Sequence, residues 1–218
     1  MRVHDRVDAG RRLAAELTDE AGPEVVVLGL PRGGVPVAAE VARALGAPLD
    51  VLVVRKLGVP HHRELAMGAI GEGGARVVDH DVVAAVGVRD DTLVRVEDAE
   101  RAELSRRAAA YREVLSAREL RGRPVVIVDD GMATGSTARA ACAVARARGV
   151  SRVVVAVPVA STSATRALEE VADRVVALSV PRSFGAVGQY YDDFSPTTDD
   201  EVRRLLHAEA ARTPDPPP

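Results

Sequence analysis

Two aspartates, Asp129 and Asp130, close the apolar run VVIV, and the loop GMATGST follows them. Gly131 and Gly135 permit backbone paths that a β-carbon would obstruct. A helix begins near Ser136, so its free N–H groups face the loop and form an anion site suited to phosphate. Thr134, Ser136 and Thr137 add hydroxyl donors without adding charge. Carboxylates beside a phosphate would repel it unless they serve another group. A ribose supplies that group, because its vicinal hydroxyls can donate to both acids; a Mg²⁺ ion with its waters is the other choice. Acids followed by a phosphate loop therefore fit a sugar phosphate. An Asp-Gly turn with a capping serine is a common local motif, but a turn needs neither two acids nor the TGST run. Two standard nucleotide signatures fail. A Walker A loop needs a lysine that Gly131 to Ser136 lacks, and neither PRGGVP nor GMATG fits G-x-G-x-x-G.

A second loop, PRGG (31–34), also follows an apolar run. A cation, Arg32, beside the bare backbone of Gly33 and Gly34 suits a diphosphate. The alternative is a tight strand-to-helix connection. Arg55 and Lys56 end another apolar run, either as anion ligands or as two solvated cations. His61-His62-Arg63-Glu64 does not have the H-E-x-x-H metal spacing, and adjacent side chains on a loop seldom chelate one ion unaided. Cys142, in an alanine-rich stretch, reads as a small buried residue.

These loops must be held by something. EVVVLGL (24–30), DVLVV (50–54), PVVIV (124–128), RVVVAVPV (152–159) and RVVALSV (174–180) read as strands buried on both faces. A further short strand is expected within 75–83. Helices are expected over 5–20, 35–46, 92–118, 136–149, 163–172 and 199–210. Val7, Leu13 and Leu17 would face the core from the first. Leu104, Ala108, Tyr111 and Leu115 would do so from the long one, with Glu97–Arg101 and Glu103–Arg107 on its wet side. Residues 55–75 read as irregular and glycine-rich. Strands alternating with helices imply an α/β fold with a doubly wound, mostly parallel sheet. Such sheets bind ligands beyond the carboxyl ends of their strands, where both loops fall.

The chain of 218 residues suits one domain over 1–212, and TPDPPP (213–218) reads as a disordered tail. A net charge of −3 gives no global basic field for nucleic acid. One cysteine excludes an internal disulfide framework and fits a reducing cytoplasm. No apolar run reaches membrane-spanning length, so neither a signal region nor a membrane partner is expected. Only five aromatics occur, and Phe184, Tyr190, Tyr191 and Phe194 crowd into one segment while Tyr111 stands apart. The core must be built from Val, Leu and Ala.

VVIVDDGMATGST resembles the 5-phosphoribosyl-1-pyrophosphate (PRPP) motif of type I phosphoribosyltransferases at every position. The similarity extends over residues 5 to 208, where GLPRGGVPVAAEVARALGAPLDVLVVRKLG and FGAVGQYYDDF look like a branch whose acceptor is not established. Some members of that branch carry a fused hydrolase-like domain; none is read in this sequence. The resemblance implies that Asp129 and Asp130 bind the ribose hydroxyls and, through water or the bound PRPP, Mg²⁺. It implies that Gly131, Met132, Ala133, Thr134, Gly135, Ser136 and Thr137 cradle the 5-phosphate. Arg32, Gly33 and Gly34 would form the pyrophosphate loop, often with a strained or cis peptide after the first of them, and Arg55 and Lys56 would contact the same group.

The family reaction displaces pyrophosphate from the anomeric carbon by a nitrogen nucleophile, with inversion. Mg²⁺, Arg32, Arg55 and Lys56 would stabilise the charge that develops, at about 3–4 kcal/mol per key donor. Residues 55–75 are then the expected lid against water, although the similarity weakens at His61 to Arg63. Residues 181–198 are the expected hood. Phe184, then Tyr190 and Tyr191, would either stack on a heterocyclic base or form the hood's own small core. Asp192 and Asp193 would either bind an amine acceptor or be solvated. The resemblance points to nucleotide metabolism, such as purine or pyrimidine salvage, and to a homodimer. Two other readings stand beside a transferase to a nucleobase: a non-catalytic PRPP or nucleotide sensor, and transfer to water or to a non-base amine.

Overall fold

The structure is a computed structural model that describes residues 1–60 and 62–212, with backbone alone for 63 and 64. The expected tail and His61 lie outside the described residues. In chain order the elements are α1 (Arg6–Ala15), β1 (Val26–Gly29), α2 (Gly34–Leu45), β2 (Leu49–Val51), β3 (Val54–Val59), β4 (His62–Gly71) and β5 (Arg76–Val78). There follow α3 (His80–Val86), α4 (Asp90–Arg112), β6 (Pro124–Val128), α5 (Ser136–Ala147), β7 (Arg152–Val159), α6 (Thr162–Glu169), β8 (Arg174–Ser179) and α7 (Asp199–Arg212). Five strands form one parallel sheet in the order β2-β1-β6-β7-β8. Among the described residues no helix is long and apolar enough to cross a membrane.

The apolar runs explain this sheet. Successive side chains of a strand point to opposite faces, so a strand covered on both sides must be apolar throughout. Val27, Val126, Val128, Val154 and Ala156 pack on one side with α1, α2, α4 and α7. Val26, Leu28, Val125, Ile127, Val153 and Val155 pack on the other with α5 and α6. The alanines of α5 let it sit close to the strands. Cys142 lies among them, fully buried, and that burial pushes its thiol up to about 12. A thiol reagent at neutral pH should therefore leave the native chain unmodified and label it once denatured; rapid native labelling would contradict this packing.

Three expectations are corrected. Residues 55–75 are not irregular: β3, β4 and β5 form an antiparallel sheet that follows β2 after Leu52 and Val53. Glycines masked the pattern, and close packing explains two of them. A β-carbon on Gly68 would meet the Val77 carbonyl at 2.4 Å, and one on Gly71 would meet Val144 of α5 at 2.3 Å. The short strand expected within 75–83 is present as β5, which ends at Val78, and Asp79 then caps α3 by accepting from the Val82 amide at 3.0 Å. The long helix spans 90–112 rather than 92–118. Glu97 on it is buried rather than wet, taking Arg76 at 2.8 Å and Arg101 at 2.5 Å.

A buried ionic network ties the small sheet to the large one. Asp50 of β2 is wholly inaccessible. Arg112, at the end of α4, donates to Asp50 at 2.6 Å and to Glu72 at 2.6 Å. Asp50 also accepts from the Val51 and Arg118 amides.

Candidate functional site

β1 and β6 are parallel neighbours, with Gly29 beside Val128. Their exit loops, PRGG and DDGMATGST, therefore emerge side by side at the carboxyl edge of the sheet. The two loops interlock. A β-carbon on Gly33 would lie 2.0 Å from Asp130 Oδ2. One on Gly34 would lie 2.5 Å from the Val128 carbonyl oxygen and 2.8 Å from Asp129 Cα. Only residues without side chains let α2 start this close to the acids. A cis peptide joins Pro31 to Arg32, one bond before the position the resemblance suggested.

The acidic loop is pinned at several points. The Met132 amide donates to the Val159 carbonyl, and the Ser161 amide donates to the Met132 carbonyl, each at 2.9 Å. Ser161 Oγ donates to the Ala133 carbonyl at 2.6 Å. The Met132 side chain is in the core, so only its backbone can serve a ligand. Gly135 takes the left-handed conformation, φ 72°, immediately before α5. A residue with a β-carbon is strained there. Thr134 Oγ1 and Ser136 Oγ lie 3.0 Å apart at the start of this helix, and Thr137 is exposed beside them.

The two aspartates are not equivalent. Asp129 Oδ1 accepts from the Asp130 amide at 2.9 Å. Asp130 Oδ2 accepts from Arg6 Nε at 3.0 Å and Nη2 at 2.8 Å. Burial raises both carboxyls above the usual carboxylate range. The neighbouring Asp130 charge raises Asp129 further, whereas Arg6 lowers Asp130. Arg6 has no role in the sequence reading. It sits next to Val7 in an ordinary amphipathic helix, and its partner is 124 positions away. No local spacing could have revealed it.

An open cavity of about 810 Å³ adjoins this edge, lined in part by Pro31, Arg55, Lys56, Glu100, Arg107 and Thr137. It thus brings the cations of β3 to the start of α5 and to the PRGG turn, while Asp129 and Asp130 stand outside its lining. Arg55 Nε donates to Glu100 at 2.6 Å. Arg32 Nη1 is 3.9 Å from Asp199 Oδ2, and Asp199 also accepts from the Tyr111 hydroxyl at 2.6 Å. Arg107, read as wet, is part of the cavity wall.

The aromatic segment divides. Tyr191 is buried against Val3 and Ala9, and its hydroxyl donates to the Asp130 carbonyl at 2.7 Å. Its ring packs on Phe194 with centroids 4.9 Å apart. Tyr191 therefore props the acidic loop from behind, and its ring is not open to a base. Phe184 and Tyr190 stack on each other at 5.7 Å and stay half-buried. Val187 leans over Gly131, where a β-carbon would approach it to 2.5 Å. Asp192 pairs with Arg2 at 2.6 Å, and Asp193 accepts from Ser195 Oγ at 2.6 Å. Both acids are exposed, as the solvated alternative expects.

The family described as "Phosphoribosyl transferase domain" matches residues 2–195. The chain belongs to it. Two Mycobacterium tuberculosis proteins, from strains CDC 1551 and H37Rv, each bear the name "Putative phosphoribosyl transferase" and are 55% identical over 202 residues. The alignment takes in 93% of this chain and 46% of theirs, so the chain spans about half the length of the curated relatives it matches. The crystal structure of TT1426 from Thermus thermophilus has 48% identity and a TM-score of 0.90, covering 95% of this chain and 99% of that one. The phosphoribosyl transferase fold thus accounts for the five-stranded parallel sheet and its flanking helices.

Proposed function

We propose that the chain transfers the 5-phosphoribosyl group from PRPP to a nitrogen acceptor, a nucleobase or related heterocycle, and releases pyrophosphate. One observation supports this most: the acidic pair, the PRGG turn and the start of α5 share one sheet edge beside a cavity carrying Arg55 and Lys56. In this reading the amides and hydroxyls of 131–137 hold the 5-phosphate. Asp129, and Asp130 through its remaining oxygen, accept from the ribose hydroxyls. Arg32, Arg55 and Lys56 take the diphosphate, whose growing negative charge they stabilise as the anomeric carbon–oxygen bond breaks. Three anchored points fix the anomeric carbon toward the acceptor. The sheet of β3, β4 and β5 would act as the lid over 55–75 and exclude water. Phe184 and Tyr190 are the rings left to meet the base.

Magnesium fits this donor set. Carboxylate oxygens are its usual protein ligands, with water and substrate phosphates completing the shell. Among the described residues no group of three His, Cys, Asp or Glu side chains could hold a metal, so Asp129 and Asp130 would share it with PRPP. Bound there, it would offset charge on the leaving diphosphate. Assembly as a homodimer and a place in the cytoplasm belong to the proposal through the family resemblance alone.

Arg55 and Arg107 of the cavity wall, and Arg32 beside it, each already face an acid. That arrangement leaves room for a PRPP sensor as the second reading. Pyrophosphate release measured with PRPP, Mg²⁺ and a panel of nucleobases and amines separates the readings. Acceptor-dependent release is expected. Acceptor-independent release would identify a hydrolase, and none with any acceptor a sensor. Arg55→Ala with Lys56→Ala should lower kcat by about 100-fold or more. Unchanged turnover would remove these two residues from the mechanism.

A further inference from the structure

We infer that Arg6 is a positioning residue that neutralises Asp130 and couples the acidic loop to the segment 187–196, so that both respond to one ligand. Four contacts converge on this side chain. Nε and Nη2 donate to Asp130 Oδ2 at 3.0 and 2.8 Å, and Nη1 donates to the Ser195 carbonyl at 2.8 Å. The guanidinium carbon lies 4.1 Å from the centroid of the Phe194 ring. The side chain retains only 12% of its accessible surface, and that of Asp130 16%. Arginine suits this place because its planar fork can serve a carboxylate, a carbonyl and an aromatic face together.

The charge balance gives the arrangement a purpose. Two adjacent carboxylates would repel a polyphosphate brought to the same loop. Arg6 pairs directly with Asp130, while among the described residues no ion pair is made by Asp129. The second consequence is mechanical. Residues 190–193 run beside residues 3–4 through Val3 N–H to Tyr190 carbonyl at 2.9 Å, Asp192 N–H to Val3 carbonyl at 3.0 Å and Asp193 N–H to His4 carbonyl at 2.8 Å. Tyr191 adds its hydroxyl bond to the Asp130 carbonyl. Shifting Asp130 therefore pulls on Arg6 and Tyr191 at once, and through them on the segment expected to meet the acceptor. Which ligand does the shifting rests on the phosphoribosyl reading; the coupling itself does not.

Amide hydrogen exchange on the full chain tests this, with Asp192, Asp193 and Met132 as reporters. Arg6→Gln should accelerate exchange in both segments by about 10-fold or more, the scale of losing charged hydrogen bonds. Because that variant could loosen the whole fold, Asp130→Asn is the second arm. It leaves Arg6 in place, so it should accelerate the Asp192 and Asp193 amides while amides in the core of β6 and β7 stay unchanged. Combining the two changes should add little at Asp192 and Asp193, since both break one link. Arg6→Lys should not restore protection, because an ammonium cannot span the same partners. Unchanged exchange at Asp192 and Asp193 in Asp130→Asn, or fully additive effects in the pair, would overturn the inference. Adding PRPP with Mg²⁺ to the wild-type chain should slow exchange in both segments. If calorimetry shows no PRPP binding, the proposed function falls, while the variant comparison still decides the coupling.

Discussion

Gly33→Ala is expected, on the proposed reading, to lower PRPP affinity by about 10- to 100-fold, the equivalent of losing a charge-assisted hydrogen bond, although the backbone at this position is ordinary. Gly33 has φ −62° and ψ −30° at the start of α2. On backbone grounds alone alanine would be neutral or mildly stabilising there. The obstacle is the β-carbon, which would stand 2.0 Å from Asp130 Oδ2 and 3.3 Å from Arg6 Nε. Asp130 is short and already held by Arg6, so it can yield only by giving up those bonds. Calorimetry with PRPP and Mg²⁺ reads the affinity, and thermal unfolding shows whether the fold survives. Wild-type affinity in a well-folded variant would show that the interlock of the two loops is irrelevant to binding.

Arg112→Met is expected to cost about 3–5 kcal/mol of stability, the usual penalty for leaving a buried charge without its partner. Asp50 is wholly buried and Glu72 receives two bonds from the same guanidinium. In a chain of this size the melting temperature should fall by roughly 10 °C. The pH dependence has a definite sign. Burial already raises the Asp50 carboxyl, with Arg112 opposing it, so removing Arg112 raises it further. An acid whose folded value exceeds its unfolded one binds its proton more tightly when folded, so falling pH favours the folded state. The deficit of Arg112→Met should therefore shrink from neutral to mildly acidic pH. Denaturant titrations at both conditions check this. A loss below about 1 kcal/mol would mean that water reaches Asp50 when Arg112 is gone.

The sheet was legible because strands buried on both faces must be apolar throughout, and VVIV or RVVVAVPV admits few other readings. The acidic loop was legible because its chemistry is local: acids, glycines and hydroxyls follow one another in the chain. What sequence could not show was long-range. Arg6 looked like any helix residue. Tyr191 read as either a base-stacking ring or part of a small core; its ring packs on Val3 and Ala9, and its hydroxyl bond to the Asp130 carbonyl had no trace in the sequence. Gly68 and Gly71 looked like loop formers, whereas they clear space for neighbouring backbone and for α5. In each case the decisive partner belongs to another element, and a pattern read along one segment carries no trace of it.

The scarcity of aromatics has a practical outcome. With no tryptophan and three tyrosines, the near-ultraviolet signal of this chain comes from very few chromophores, and they sit at informative places. Tyr111 marks the seam between α4 and α7, where its hydroxyl meets Asp199. Tyr190 and Tyr191 mark the segment over the acidic loop. Circular dichroism or intrinsic emission in that range thus watches the surroundings of the acidic loop and this helix seam directly, and no dye need be attached.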